Sequence, residues 1–358
     1  MWTNPAQLIQ RMVYPVLGSV GYFHSRFILP VNVVTYHGVR PEGYESPDTF
    51  LDGALLSADM FRSQLRLLKK HYTVASPEQF LDWLREQRSL PERAVVLTCD
   101  DGLLNHFTDV LPILQEENVR SLFFVTGASL SDPTRMHWYD ELYLMLKDAR
   151  SGSVQLDLQG TAITTGNGLK RSSLWLKLVK ALSRFGIAER RTRMDDLAEK
   201  LGLSRDWWQR YFANAALRKR FQLMGVPELR KLSEAGMTIG AHTLSHPVLR
   251  EQPPDLARAE LAQCREALER VVGRPVWALA YPFGDPSSTG TREYSMAQEA
   301  GYDCAFVNVG GSPDAIAGRY ALPRIHVTAE MSLPVYEASI SGIDQALRSR
   351  LRRNRNVV

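Results

Sequence analysis

Residues 96–102, Val96-Leu97-Thr98-Cys99-Asp100-Asp101-Gly102, carry an apolar, β-favouring run into two adjacent carboxylates and a glycine able to turn the chain sharply. Two carboxylates side by side raise each other's pKa. A divalent cation held by one of them removes that cost and leaves the other free to act as a base. Alone, an Asp-Asp-Gly tripeptide reads first as a solvated turn. A second stretch, His242-Thr243-Leu244-Ser245-His246-Pro247, favours the cation. Its histidines are four apart, which on one helical turn would aim both imidazoles at the same ion. Both stretches directly follow a short apolar strand, and in an α/β sheet or barrel strand exits gather on one rim. Asp101, His242 and His246 would then give an O,N,N set with an open position for water, as in a catalytic Zn2+-type site.

The elements needed to bring those exits together are legible along the chain. Val31 to Tyr36 reads as a buried strand ending at His37-Gly38, and Leu55 to Lys70 as a helix with Ser57 as its cap. A short strand at His71–Val74, a helix opened by Ser76-Pro77-Glu78, the Asp-Asp strand at 94–99, a helix near 106–117 and a strand at Ser121–Thr126 follow. This alternation predicts a parallel α/β sheet or barrel. From about 140 to 225 it gives way to a Leu-, Lys-, Arg- and Trp-rich stretch that reads as a helical insertion. It resumes with a helix at Pro227–Ala235, a strand at Met237–Ile239, a long amphipathic helix at 255–272 and strands near 276–280, 304–307 and 322–327. The expected division is an extension at 1–30, an α/β barrel from 31–140 and 225–330, the insertion at 141–224, and a basic helix or tail at 331–358.

The chain has 358 residues, 44% of them hydrophobic and 23% charged, a composition that builds a core and excludes wholesale disorder. A net charge of +4 with scattered basic residues and no reader motif argues against a nucleic-acid partner. Cys99, Cys264 and Cys304 lack metal spacing and sit in apolar contexts, as expected of small buried residues in a reducing compartment. No basic region precedes a cleavable apolar run, and Val13 to Phe23 is too short to cross a bilayer. The expected location is therefore the cytoplasm or the inner membrane face. Arg348, Arg350, Arg352, Arg353 and Arg355 form a tail that is either solvated or weakly docked on anionic lipid. Oligomeric state leaves no mark on the sequence.

Thr98-Cys99-Asp100-Asp101-Gly102 resembles the Thr-Phe-Asp-Asp-Gly motif of the polysaccharide deacetylases with a NodB-type domain, carbohydrate esterase family four. His242 to Pro247 matches that family's His-(Ser/Thr)-x-x-His-Pro in full, preceded by a similar Gly240-Ala241. The resemblance covers roughly 31–140 and 225–328. It implies a distorted (β/α) barrel of the NodB type and hydrolysis of an acetamide on an amino sugar in a polysaccharide or glycan precursor. It also implies one divalent metal ion, Zn2+ with Co2+ or Ni2+ as alternatives, held by Asp101, His242 and His246, with Asp100 as general base. The third motif, Arg-x-Pro-(Tyr/Phe)-Gly, reads Ala280-Tyr281-Pro282-Phe283-Gly284 here, as in a Tyr-Pro branch of the family. A backbone N–H in this loop near Tyr281 and Pro282 is the implied second oxyanion contact. The motif's arginine is missing, and Arg324 on a neighbouring strand is the candidate to reach Asp100 in its stead. Ile325-His326 is similar to the family's last motif, which makes His326 either the general acid or an ordinary strand histidine. His37 is expected on the rim. Trp138 is either a sugar-stacking aromatic or core packing. The partner implied is an N-acetylated saccharide. Two alternatives stay open: an amidase removing another acyl group such as formyl, or a non-catalytic glycan-binding module.

Overall fold

The computed structural model describes residues 5–26, 31–130, 136–149, 155–158, 161–164, 170–310 and 318–347. The arginines of the basic tail, from Arg348 onward, lie outside the described residues.

Ten strands are present among them: β1 (Val31–Tyr36), β2 (Thr73–Val74), β3 (Ala94–Cys99), β4 (Leu122–Val125), β5 (Gln155–Leu158), β6 (Thr161–Thr164), β7 (Thr238–Ala241), β8 (Ala278–Ala280), β9 (Cys304–Phe306) and β10 (Ile325–His326). Eight form one parallel sheet in the order β10-β1-β3-β4-β7-β8-β9, with β2 beside β3. The sheet curls onto itself through one short segment. Leu322 exchanges backbone hydrogen bonds with Ala305 and Val307, and three residues later Ile325 and then His326 pair with Val34 and Thr35 of β1. The result is a distorted (β/α) barrel whose last strand is shared between its two edges.

Alternation along each strand separates two apolar layers. Val31, Val33, Ala94, Val96, Leu122, Phe124, Ala278, Ala280, Cys304, Phe306 and Leu322 fill the barrel, together with Phe80 and Leu84 of the helix Pro77–Leu84. The other set, including Val34, Leu97, Phe123, Ile239 and Leu279, packs outward on Leu65, Leu68, Leu114, Leu229 and Leu261 of the surrounding helices. All three cysteines are buried and free. The Ser57 hydroxyl accepts from the Met60 amide, and Ser76 closes a full capping box with Gln79, so both sequence-read caps fix their helix starts.

Gly240 faces the barrel interior. A Cβ there would lie 2.6 Å from the Phe124 ring and 3.2 Å from the Ala278 carbonyl. Gly240→Ala is therefore expected to cost about 1–3 kcal/mol by overpacking, read as a lowered denaturant midpoint with unchanged slope.

The insertion builds its own core from Leu178, Leu182, Met194, Leu197, Trp207 and Phe221, joined to Tyr44, Met136 and Val248 of the barrel loops. It is helical at Arg171–Leu182, Ile187–Lys200 and Ala215–Phe221. It also holds an antiparallel hairpin, β5–β6, with Leu156 opposite Ile163. The sequence reads this stretch as mostly helical, because four alternating residues per strand are too few to separate the two periodicities. At the opposite end of the chain, the helices Pro5–Met12 and Tyr14–Ser19 lean on the helix Leu333–Ile340 through Tyr14, Phe23 and Ala338.

Candidate active site

The inward positions of each strand continue past its exit. Thr35 is followed two residues on by His37, Thr98 by Asp100, Gly240 by His242, Phe306 by Asn308, and Arg324 by His326. The period of two thus delivers these side chains to one rim. Asp101 is out of phase with that pattern and is brought round by the backbone, at φ 83°, followed by Gly102 at 69°. Thr243, His246 and Phe283 also adopt left-handed backbone, at 61°, 58° and 61°. Such conformations cost about 1–3 kcal/mol each and persist where the surroundings enforce them.

Asp101 Oδ1 lies 3.4 Å from His242 Nε2 and 3.4 Å from His246 Nε2. The imidazoles do not meet through a helical turn, as their spacing predicts. Residues 242–248 are non-helical, and the left-handed residues at 243 and 246 fold the loop back instead. His242 Nδ1 donates to the Ala280 carbonyl at 2.7 Å, which leaves the lone pair of a neutral ring on Nε2. Burial, opposed by Asp101 and aided by the neighbouring histidines, brings His246 down to about 3, so its ring is neutral at pH 7. Two lone-pair nitrogens facing a carboxylate oxygen are a poor arrangement without a cation and a good one around it. The N,N,O donor set suits Zn2+, Co2+ or Ni2+. Among the described residues this is the single group of three that could hold a metal ion.

Asp100 is buried beside it. Arg324 Nη1 donates to Asp100 Oδ1 at 2.7 Å and Nη2 to Oδ2 at 2.6 Å. The guanidinium lies inside the barrel, also bonded to Thr35 and Thr98 hydroxyls, with its carbon 5.4 Å from the Phe124 ring centre and 5.8 Å from that of Phe306. Burial pushes the Asp100 carboxyl up, but Arg324 and then His242 outweigh it and hold the group at about 2. Arg324, directly before β10, thus reaches Asp100 from the neighbouring strand, where the third motif offers no arginine.

His326 Nδ1 accepts from Asn308 Nδ2 at 2.9 Å, and its ring centre is 4.8 Å from that of His37. Burial first, then His37, lowers it to about 3. His37 lines a cleft of about 200 Å³ with Asp101, Tyr139, Asp140, Phe50, Trp175 and Arg220. Arg220 forms the cleft's buried charged wall, donating to Asp52 at 2.7 Å, Asp140 at 3.1 Å and the Leu51 carbonyl at 3.0 Å. Phe50, Trp175 and Arg220 were not found from sequence. They come from separate segments, two of them in the insertion, and carry no motif.

The structure overturns the Tyr281 and Pro282 expectation and takes the packing alternative for Trp138. The Tyr281 amide donates to the Phe306 carbonyl at 3.0 Å, its ring is buried, and Pro282 has no N–H, so neither residue offers an oxyanion donor. In the same loop the Phe283 amide donates to nothing among the described residues, and its ring lies 5.1 Å from that of His246. Trp138 does not line the cleft. Its indole N–H donates to the carbonyls of Ser245 and His246 at 2.9 and 3.1 Å, and Arg190 covers its face at 4.7 Å.

Behind His246, the insertion grips the same loop. Arg190 donates to the Ser245 hydroxyl, and Glu260 accepts from both the Ser245 amide, at 2.7 Å, and its hydroxyl. Glu260→Ala removes both acceptors and leaves a buried guanidinium without its neighbouring charge. A loss of about 3–5 kcal/mol in unfolding free energy is expected by chemical denaturation.

A family model described as polysaccharide deacetylase matches residues 87–151 and 205–305, omitting much of the insertion. A putative polysaccharide deacetylase, YxkH of Bacillus subtilis, is 22% identical over 116 residues, 32% of this chain and 40% of that protein's length. The chain thus matches well under half of that relative. Streptococcus pyogenes deacetylase PplD, solved in complex with acetate, superposes with a TM-score of 0.56 at 16% identity, covering 87% of this chain and 97% of that one. A de-N-acetylase from Aggregatibacter actinomycetemcomitans gives 0.54 at 15% identity, covering 86% and 99%. At such identities the structural likeness establishes the fold. The segments matched by the family model hold both motifs, and that match places the chain in the polysaccharide deacetylase family.

Proposed function

We propose that this protein is a metal-dependent hydrolase that removes N-acetyl groups from an amino sugar of a polysaccharide or glycan precursor. What carries the reading is a buried carboxylate, Asp100, clamped in ionised form by Arg324 beside the Asp101, His242 and His246 donor set. A bound divalent ion would supply Lewis acidity toward the acetamide oxygen and lower the pKa of water. Asp100 takes the proton from the attacking water. Arg324 keeps both carboxylate oxygens fixed and ionised until that moment. His326 shares the rim with His37 and, once its ring has been protonated, is the group that hands a proton to the departing amine as the C–N bond breaks. The Phe283 amide supplies a donor for the developing oxyanion. The aromatic walls Phe50, Tyr139 and Trp175 flank the sugar ring. The names borne by the relatives above, deacetylase and de-N-acetylase, accord with this chemistry.

The test is acetate release from N-acetylglucosamine oligomers by protein of measured metal content, with and without chelator. Chelator-sensitive acetate release, restored by a divalent ion, is expected. Saccharide binding that survives chelation without turnover would assign a non-catalytic module, and formate release from an N-formyl substrate alone would assign a different amidase. His326→Ala is expected to lower kcat by about 10²–10⁴-fold with metal content unchanged, and unchanged kcat would remove its role as acid.

A further inference from the structure

The two imidazoles that face Asp101 are held in different ways. His242 has its second nitrogen on the Ala280 carbonyl at 2.7 Å, the usual means of orienting a metal-ligating histidine. His246 Nδ1 is buried with no hydrogen-bond partner among the described residues. The His246 backbone is left-handed, at φ 58°, a conformation that a residue other than glycine keeps only under constraint. The rings of Tyr139 and Phe283 lie 4.5 and 5.1 Å from the imidazole and limit its tilt, but give it no hydrogen-bonded direction through Nδ1. The place of His246 Nε2 is therefore set through the chain at 244–246, and three elements anchor that chain.

Glu260, on the helix Pro254–Val272, takes the Leu244 amide on its backbone carbonyl at 2.9 Å and the Ser245 amide on its carboxylate at 2.7 Å. Trp138, which opens the helix Trp138–Asp148, shares its indole N–H between the carbonyls of Ser245 and of His246 itself. Arg190 completes the set from the insertion, near the start of the helix Ile187–Lys200, where it is only 2% exposed. Its Nη2 donates to the Ser245 hydroxyl, which in turn donates to Glu260, so the hydroxyl is fixed between a cation and an anion. The same guanidinium backs the indole that holds His246, 4.7 Å from the ring centre. Burial, partly offset by Glu260, lowers Arg190 to about 10, so it is charged at pH 7. Arg190 neither lines the cleft nor belongs to the donor set. Against an apolar side chain of similar size a buried ionic group gains little net stability. The consequence of this one lies in the geometry it imposes on Ser245 and His246.

We infer that Arg190 is a positioning residue for the metal centre: acting through Ser245 and Trp138, it holds His246 Nε2 toward Asp101 and His242, so that the insertion sets the affinity of the site. The inference rests on the metal reading of those three donors given above.

Zn2+ affinity of the full chain, measured without substrate by competition with a chromophoric chelator, tests it. Arg190→Met is expected to raise the Zn2+ dissociation constant about 10–100-fold, the usual cost of losing a group that orients a metal ligand. In Co2+-loaded protein the visible absorption should weaken and shift as the His246 nitrogen leaves its place. Arg190→Lys keeps a charged donor toward Ser245 and should recover part of the affinity. Leu201→Ala opens a cavity in the insertion core about 16 Å further along the same helix and should leave the dissociation constant unchanged, which separates positioning from general loosening. Should Arg190→Met fail to fold with Glu260 left unpaired, Arg190→Met with Glu260→Gln removes both charges and is expected to show the same loss. Either folded variant binding Zn2+ as tightly as wild type would overturn the inference. So would a loss in Leu201→Ala as large as that in Arg190→Met. Wild type that binds no Zn2+ at all would remove the metal reading itself, and this inference with it.

Discussion

Asp101→Ala and His246→Ala are each expected to remove metal binding and to lower turnover by roughly 10³–10⁴-fold, since a Lewis acid contributes several kcal/mol and each 1.4 kcal/mol is about tenfold. The effect is large because the three donors have little other purpose. His242 has its second nitrogen fixed on the Ala280 carbonyl, and His246 Nδ1 is buried with no partner. A readout besides activity follows from mass action. In wild type, Zn2+ at about 100 times its dissociation constant should stabilise the fold by about 2.7 kcal/mol and raise the melting temperature. In either variant that shift should vanish. A variant that still melted higher with Zn2+ would mean that the ion is held elsewhere.

The second large effect concerns the base and its clamp, and pH separates the two residues. Asp100→Asn cannot accept a proton at any pH, so a loss of about 10²–10⁴-fold is expected across the whole profile. Arg324→Met leaves the carboxylate in place but removes its main counter-charge, so burial then dominates and the Asp100 pKa rises from about 2. The acid limb of the rate profile should move to higher pH, with activity partly recovered in alkaline buffer. Lysine at 324 should restore little, because one ammonium cannot bridge both oxygens. Stability follows the same sign. Asp100 has a lowered folded pKa, so its ionised form stabilises the fold above the unfolded value of about 3.9, and that contribution is lost as pH falls through about 2. An Arg324→Met profile parallel to wild type, merely lower, would contradict this assignment.

Much of the site was legible in the sequence because strand exits carry it. Asp100, Asp101 and His242 directly follow runs whose β character is plain, and strand periodicity alone puts Arg324 and His326 on the barrel's inner side. What escaped depends on three-dimensional paths. The His242–His246 spacing suggested a helical turn, whereas left-handed backbone at Thr243 and His246 brings the rings together. The Tyr281 amide looked available until β9 was seen to accept it. Trp138 announced itself as an aromatic beside the insertion, yet its N–H and one face are engaged by the His246 loop and Arg190. Phe50 and Trp175 sit 125 residues apart in the chain and meet edge to face at 5.5 Å, a contact no local pattern encodes.

The most direct test of the central claim is a titration of metal-stripped protein with Zn2+, following bound ion and released acetate together in wild type and Asp100→Asn. Wild type should gain activity in proportion to a single bound ion and then saturate, while Asp100→Asn should bind the same ion as tightly and release almost no acetate. Full acetate release from metal-free wild type, or from Asp100→Asn once loaded, would contradict a cation and a separate base working side by side on this rim.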